Sequence, residues 1–403
     1  MHLLKSLYIF FALIGLALMN MQGALLAQEP EDIPAGEIIR SPYSPDTILF
    51  VAPQNGPLKN IGRSATQGAR LAFQILGAGL HLQVIDETAR PEARKEFDDK
   101  RLAVVIGYFT ESRFEDDAPN YLYLKKPALL PFLTTTEASS RGPSTFFHLM
   151  PTAKEQGEFA AMEVLKMNKR PRRLLVIKGE GNYHQQFISS FTGTLSSPPA
   201  PKPENETGGK QKKKKKEVPL KPLDSKALVT IISLEQALQP DGLEDFEKNK
   251  PDLIMLSSSI DEGLSLAQVL ADSKFSQIQI WGGTMVSFRD VGAAFTALDL
   301  KLKVITPVIN LTDEKNNDGR EFIQRYKEEY KTNPNWISAL AFDAVSIAVK
   351  GISSGQSDET LLSFLSGQPH YALGAYELKP GLGECSLPME LMTVSEETLG
   401  YLP

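Results

Sequence analysis

The sequence predicts an α/β fold built on two sheets, and three observations carry the prediction. Short apolar runs such as 102–106 (LAVVI) and 128–132 (ALLPF) lack the alternation of half-exposed strands and read as parallel strands buried on both faces. The roughly twenty residues between these two runs suit a crossover helix. Strand-like and helix-like segments then alternate along nearly the whole chain, which is the rhythm of α/β architecture.

Taken in order, 47–52 is a strand, 56–63 a loop and 64–76 a helix, with Ser64 as its N-cap and Ala65, Ala69, Ala72 and Leu76 on one face. A second strand, 81–85, ends in Asp86, Glu87, Thr88 and, further on, Pro91. Beyond the two buried runs come a helix at 154–168, a strand at 173–177 and a helix at 183–195. Segment 196–222 breaks the pattern with six prolines and the run Lys212 to Lys216. Like charges repel and apolar residues are scarce there, so it is expected to be a disordered loop within the second domain. The rhythm resumes with a strand at 228–232, a short helix at 243–249, and a strand at 252–256 closing on Ser257, Ser258 and Ser259. There follow a helix at 261–271, a strand at 277–281 ending in Gly282 and Gly283, a crossing strand at 302–307, and helices at 319–330 and 336–351. Segments 372–378 and 387–394 are expected to form a terminal β-pair.

Right-handed crossovers place the carboxyl ends of successive parallel strands on one edge, where open α/β sheets bind ligands. That edge is expected to carry Tyr108, Phe109, Thr110, Glu111 and Ser112 from one loop and Thr134, Thr135 and Thr136 from the next, with helix N-terminal N–H groups behind them. Tyr108 and Phe109 either wall the pocket or pack in the core. Glu111 at such a cleft repels a carboxylate and favours a cationic or hydrogen-bond-donating ligand, or else it is a solvated charge beside Arg113.

Bulk properties narrow the function classes. Met1 to Lys5 carries one basic residue, 7–19 is apolar, and Ala27 precedes an acidic, polar stretch, which fits an export signal cleaved after Ala27. Residues 28–46 then form a flexible lead. The single cysteine, Cys385, allows no internal disulfide, so stability comes from burial. A net charge of −6 argues against nucleic acid as a partner. Catalysis has little support. His81, His148, His184 and His370 show no metal-ligand spacing, and Cys385 stands in no nucleophile motif. Gly179-Glu180-Gly181 lacks the rest of a phosphate loop, and the three serines at 257–259 lack a GxSxG elbow. No catalytic residue, metal or cofactor is expected.

Several matches in order carry a family resemblance. They are Gly56-Pro57 followed by Gly68-Ala69-Arg70-Leu71-Ala72, Asp86 with Pro91, Val105-Ile106-Gly107, Pro131 with Thr134, Pro151-Thr152 with Gln156-Gly157, Tyr183, and Ala341-Phe342-Asp343-Ala344-Val345. With these, nearly the whole mature chain resembles the type I periplasmic solute-binding proteins, especially the branch that binds leucine, isoleucine, valine and related amides for ABC importers. The resemblance implies two Rossmann-like lobes joined by a three-crossing hinge, with crossings near Pro151, Pro307 and Cys385. Lobe one is then 47–150 plus 308–384. Lobe two is 151–307 plus 385–403 and contains the insert at 197–222.

It further implies that lobe one holds a ligand carboxylate through backbone N–H groups and a hydroxyl after Gly107 and through the threonine matching Thr134. The hydroxyl position is Glu111 here, with Thr110 adjacent. On lobe two an aromatic is kept as Tyr183, while the acid that would meet a ligand ammonium is Thr284. A standard amino acid then lacks its counter-charge unless Asp261 or Glu262 reaches in. Ser259 and Thr135 complete the expected ligand contacts. The implied function is a periplasmic receptor for a small polar solute, amino-acid-like or amide-like, working by hinge closure with a membrane ABC permease as partner and at most weak dimerisation. A periplasmic sensor or protein-binding regulator with a degenerate cleft is the alternative on the same fold.

Overall fold

The computed structural model describes residues 45–89, 100–134, 145–200, 220–273, 275–308, 317–354, 358–367, 370–371, 373, 375–376, 387–396 and 398. The expected export signal, the expected lead up to residue 44, Lys212 to Lys216, Thr135, Thr136 and Cys385 lie outside the described residues.

The first sheet has the order β2-β1-β3-β4-β5 and is parallel throughout. Its strands are β1 (Thr47–Ala52), β2 (His81–Asp86), β3 (Leu102–Gly107), β4 (Ala128–Leu130) and β5 (Phe146–His148). Every residue of β1 and β3 is buried, which is why neither run alternates. The second sheet has the order β13-β10-β9-β8-β6-β7. It comprises β6 (Arg173–Lys178), β7 (Leu228–Ser233), β8 (Leu253–Ser257), β9 (Gln279–Gly282), β10 (Lys301–Pro307) and β13 (Met389–Thr393). Only β13 runs antiparallel in it. A small antiparallel pair joins β11 (His370–Tyr371) to β12 (Ala375–Tyr376).

The helices are α1 (Lys59–Leu76), α2 (Glu111–Leu124), α3 (Ala153–Lys166), α4 (Asn182–Ser196), α5 (Leu234–Ala237), α6 (Glu244–Lys248), α7 (Ile260–Asp272), α8 (Arg289–Ala297), α9 (Asn317–Tyr330), α10 (Trp336–Ser354) and α11 (Asp358–Gly367). The chain passes from the first sheet to the second between β5 and α3. It returns after β10, where Tyr326 and Tyr330 of α9 donate to Gln67 of α1, and it re-enters the second sheet as β13. Helix α10 has the length and hydropathy of a membrane span, yet 78% of its most apolar window is buried inside the protein. Within it, Asp343 is buried and accepts from the Leu373 N–H at 2.6 Å, which gives the acid of the Ala341 to Val345 motif a structural partner.

Three local expectations are corrected. Helix α1 begins at Lys59, so most of the expected loop at 56–63 is helical; Ser64 sits inside the helix and donates back to the Asn60 carbonyl, the competing use of a serine hydroxyl. The terminal β-pair does not form between its expected partners. Segment 389–393 instead pairs with β10, covering the edge of the second sheet, and β12 pairs with β11. Strand β5 and helices α5, α8 and α11 are additional to the expected elements.

Candidate functional site

At the first sheet's carboxyl edge, β3 ends in a tight reversal. Gly107 has φ +130°, and a Cβ there would lie 2.0 Å from the Val51 carbonyl oxygen, so only glycine fits. Tyr108 follows at φ +66°, its N–H donating to Val51 O at 3.1 Å. This backbone turns the Tyr108 ring into the core. Its hydroxyl donates to Asp117 Oδ2 at 2.7 Å and is also bonded to the Tyr121 hydroxyl, and its ring meets Phe114 edge-on at 5.3 Å. Burial, reinforced by Tyr121 and Asp117, pushes the Tyr108 phenol well above its ordinary range, so it stays neutral. Tyr108 is therefore a core residue and not a wall of the cleft: the positive-φ turn, invisible in residue type, reverses its direction.

Phe109 remains half-buried at the edge and stacks on Phe132 with centroids 4.1 Å apart and planes 17° off parallel. The N–H groups of Phe109 and Thr110 both have a partner inside the protein. Glu87 reaches from the end of β2 past β1, its Oε2 accepting from Phe109 at 2.9 Å and its Oε1 from Thr110 at 2.6 Å. Glu87 is 1% exposed. Burial pushes its carboxyl up, against the hydrogen bonds from Phe109 and Thr110 and the Arg113 guanidinium, which favour the ionised form. Its neighbour Asp86 behaves oppositely. Burial works to raise it as well, but donors on Gln54, Asn55 and Thr88 together hold its carboxyl below the usual value. Thr110 is exposed, Glu111 opens α2 and is half-buried, and Thr134 is buried with its carbonyl accepting from the Ala153 N–H at 2.6 Å.

At the second sheet's carboxyl edge Tyr183 and Thr284 converge on Gln156, a residue that entered above only through the family resemblance. Gln156 is fully buried. Its Oε1 accepts from the Tyr183 hydroxyl and from Thr284 Oγ1, both at 2.7 Å, while its Nε2 donates to the Pro151 carbonyl at 2.8 Å. Gly283 makes room for this cluster: a Cβ there would stand 2.7 Å from the Tyr183 hydroxyl. Beside it, His184 Nδ1 lies 3.0 Å from Ser257 Oγ, and burial holds the imidazole below its ordinary value despite nearby Glu262. Ser257 is completely buried, so this pair does not present an accessible nucleophile. Ser259 is the N-cap of α7 in a capping box, with Glu262 Oε2 accepting from the Ser259 N–H at 2.5 Å. Glu262 is thereby engaged in capping α7, and the side chain of Asp261 lies outside the described residues. Elements attached to the two sheets also touch, the Phe288 ring lying 6.4 Å from Trp336 at the start of α10. No group of three metal-ligating side chains occurs among the described residues.

Glu87 is the residue that sequence reasoning missed. Its signal was two consecutive acids, Asp86-Glu87, at a strand end beside a helix N-terminus, where one acid can turn back onto free N–H groups.

No family model and no curated protein matches the chain. Solved structures do. A leucine-binding protein from Thermotoga maritima superposes with TM-score 0.66 at 16% identity, covering 87% of this chain and 99% of that one. The substrate-binding protein of a Streptococcus pneumoniae branched-chain amino acid transporter, solved with isoleucine, gives 0.64 at 15%, covering 86% and 99%. An R. palustris ABC-transporter solute-binding protein in complex with benzoate gives 0.66 at 14%, covering 87% and 93%. The fold is that of the type I periplasmic binding proteins, and it resembles the branched-chain amino acid receptors.

Proposed function

We propose that the chain is an extracytoplasmic solute-binding receptor that captures a small polar solute, amino-acid-like or amide-like, between the carboxyl edges of its two sheets and presents the closed form to an ABC importer. The observation that carries this reading is the placement of Phe109, Thr110 and Thr134 on one sheet's carboxyl edge and of Tyr183, Ser259 and Thr284 on the other's. Such edges bind ligands at the reversal of strand order. The lobe assignment, 47–150 plus 308–384 against 151–307 plus 385–403, belongs to the same proposal and is supported by the passage of the chain between β5 and α3.

The solute docks on lobe one first. Closure follows because the closed state adds lobe-two contacts, and a ligand shifts the hinge only by its differential affinity for that state. No bond is made or broken. The protein works in the periplasm after export.

One observation favours the second reading, a sensor or protein-binding regulator. The polar tips on both edges are bonded to partners within the protein: Tyr183 and Thr284 to Gln156, and the Phe109 and Thr110 N–H groups to Glu87. A thermal-shift panel of amino acids, amides, polyamines, urea-like compounds and small carboxylates separates the two. A specific solute at a hundred times its dissociation constant adds about 2.7 kcal/mol, a shift of several degrees. A flat panel would favour the regulator.

A further inference from the structure

We propose that Glu87 sets the solute class: its carboxylate is the resident anion at the carboxyl end of β3, so the cleft rejects a carboxylate at that edge and takes a neutral amide or an amine. The inference rests on the receptor reading and deepens it. Each backbone N–H has one proton to give, and those of Phe109 and Thr110 end on the two oxygens of Glu87. A solute carboxylate arriving there meets spent donors and a like charge. Glu87 is held in place: it is 1% exposed, its own N–H is bonded to Ala52 O, and the preceding Asp86 is fixed by donors from Gln54, Asn55 and Thr88.

The surrounding charges point the same way. A helix N-terminus supplies about half a positive charge. The start of α2 faces Glu87 and carries Glu111 in its first turn, against one guanidinium among the described residues, that of Arg113. The stacked Phe109 and Phe132 rings lie beside this acidic edge and offer a flat apolar face for the rest of the solute.

The test is calorimetric titration of the full chain with two probe series, benzoate, benzamide and benzylamine, and leucine with leucinamide. The wild type is expected to bind an uncharged or cationic member at least about tenfold more tightly than the matching carboxylate, and Glu87→Gln to shrink or invert that ratio. Benzamide against benzylamine tells a neutral from a cationic solute. A wild-type chain that binds benzoate or leucine as tightly as its amide overturns the proposal while leaving the receptor reading intact. So does an unchanged ratio in Glu87→Gln.

A further arm stands apart from the receptor reading. In Glu87→Ala the vacated N–H pair is expected to take acetate, raising the melting temperature of the variant and not of the wild type, with acetamide inert. Acetate rescue together with silence of both probe series and a flat thermal-shift panel supports the resident anion and favours the regulator. Absence of rescue overturns the proposal. Should Glu87→Ala not fold, the same acetate comparison is made on refolding yield, with the same two outcomes.

Discussion

At the carboxyl end of β3 the backbone donors of Phe109 and Thr110 terminate on a buried carboxylate, whereas on the opposite edge the hydroxyls of Tyr183 and Thr284 terminate on the neutral carboxamide of Gln156. The first arrangement puts a charge out of water and makes the edge titratable and repulsive to anions. The second satisfies the same number of donors without charge, so the Gln156 cluster orients dipoles and by itself attracts no ion. The difference teaches that two edges matched in fold position are not matched in chemistry; under the proposed receptor reading, charge discriminates at the first sheet's edge and dipoles position at the second's.

Breaking the neutral edge has the largest expected effect. Gln156→Leu strips the acceptor from two buried hydroxyls and the donor from the Pro151 carbonyl, so a loss of about 3 kcal/mol or more is expected in chemical denaturation. Gly283→Ala comes next. Its methyl collides with the Tyr183 hydroxyl, and a loss of about 2 kcal/mol is expected in the same denaturation experiment. Tyr183→Phe is milder, about 1 kcal/mol, because Thr284 still donates to Gln156. The same variant sharpens the functional comparison, since a receptor loses solute affinity with it and a regulator keeps its partner.

The smallest effects are the titrations, and they differ in sign between the edges. The Glu87 carboxyl is raised above its ordinary 4.5, so its contribution is fully present below that value and is lost as pH rises through the raised one. Relative to Glu87→Gln, the wild type is expected to lose stability over that interval. His184 on the other edge is lowered from 6.5, so its contribution is present above 6.5 and is lost as pH falls through the lowered value. Denaturation midpoints of wild type, Glu87→Gln and His184→Gln across pH 4 to 8 check both slopes; equal slopes on the two edges would erase the comparison.

Much of the fold was legible because burial on both faces leaves its mark in residue type, as in LAVVI of β3 and LIMLS of β8. The pairing of β13 was not, because its partner β10 lies far away in sequence and local alternation says nothing of a distant edge. Strand β5, three residues long, is too short to show a period. The capping boxes at Thr152 and Ser259 did stand in the sequence as hydroxyl and acid three residues apart. For the site, position was readable and direction was not. Phe109 and Thr284 follow strand ends and Tyr183 stands at the start of a helix, yet the positive φ of Gly107 and Tyr108 sends the Tyr108 ring inward, and the long side chain of Glu87 carries its charge to another strand's end.

In the proposed receptor the two edges close on a solute. The most direct measurement is the distance between spin labels on cysteines placed at exposed Tyr123 and Leu228, with Cys385 replaced by serine, before and after adding the solute that most raises the melting temperature. The distance distribution is expected to shorten, and the shortening to disappear in Tyr183→Ala. A solute that stabilises the protein while leaving the distance unchanged would contradict closure.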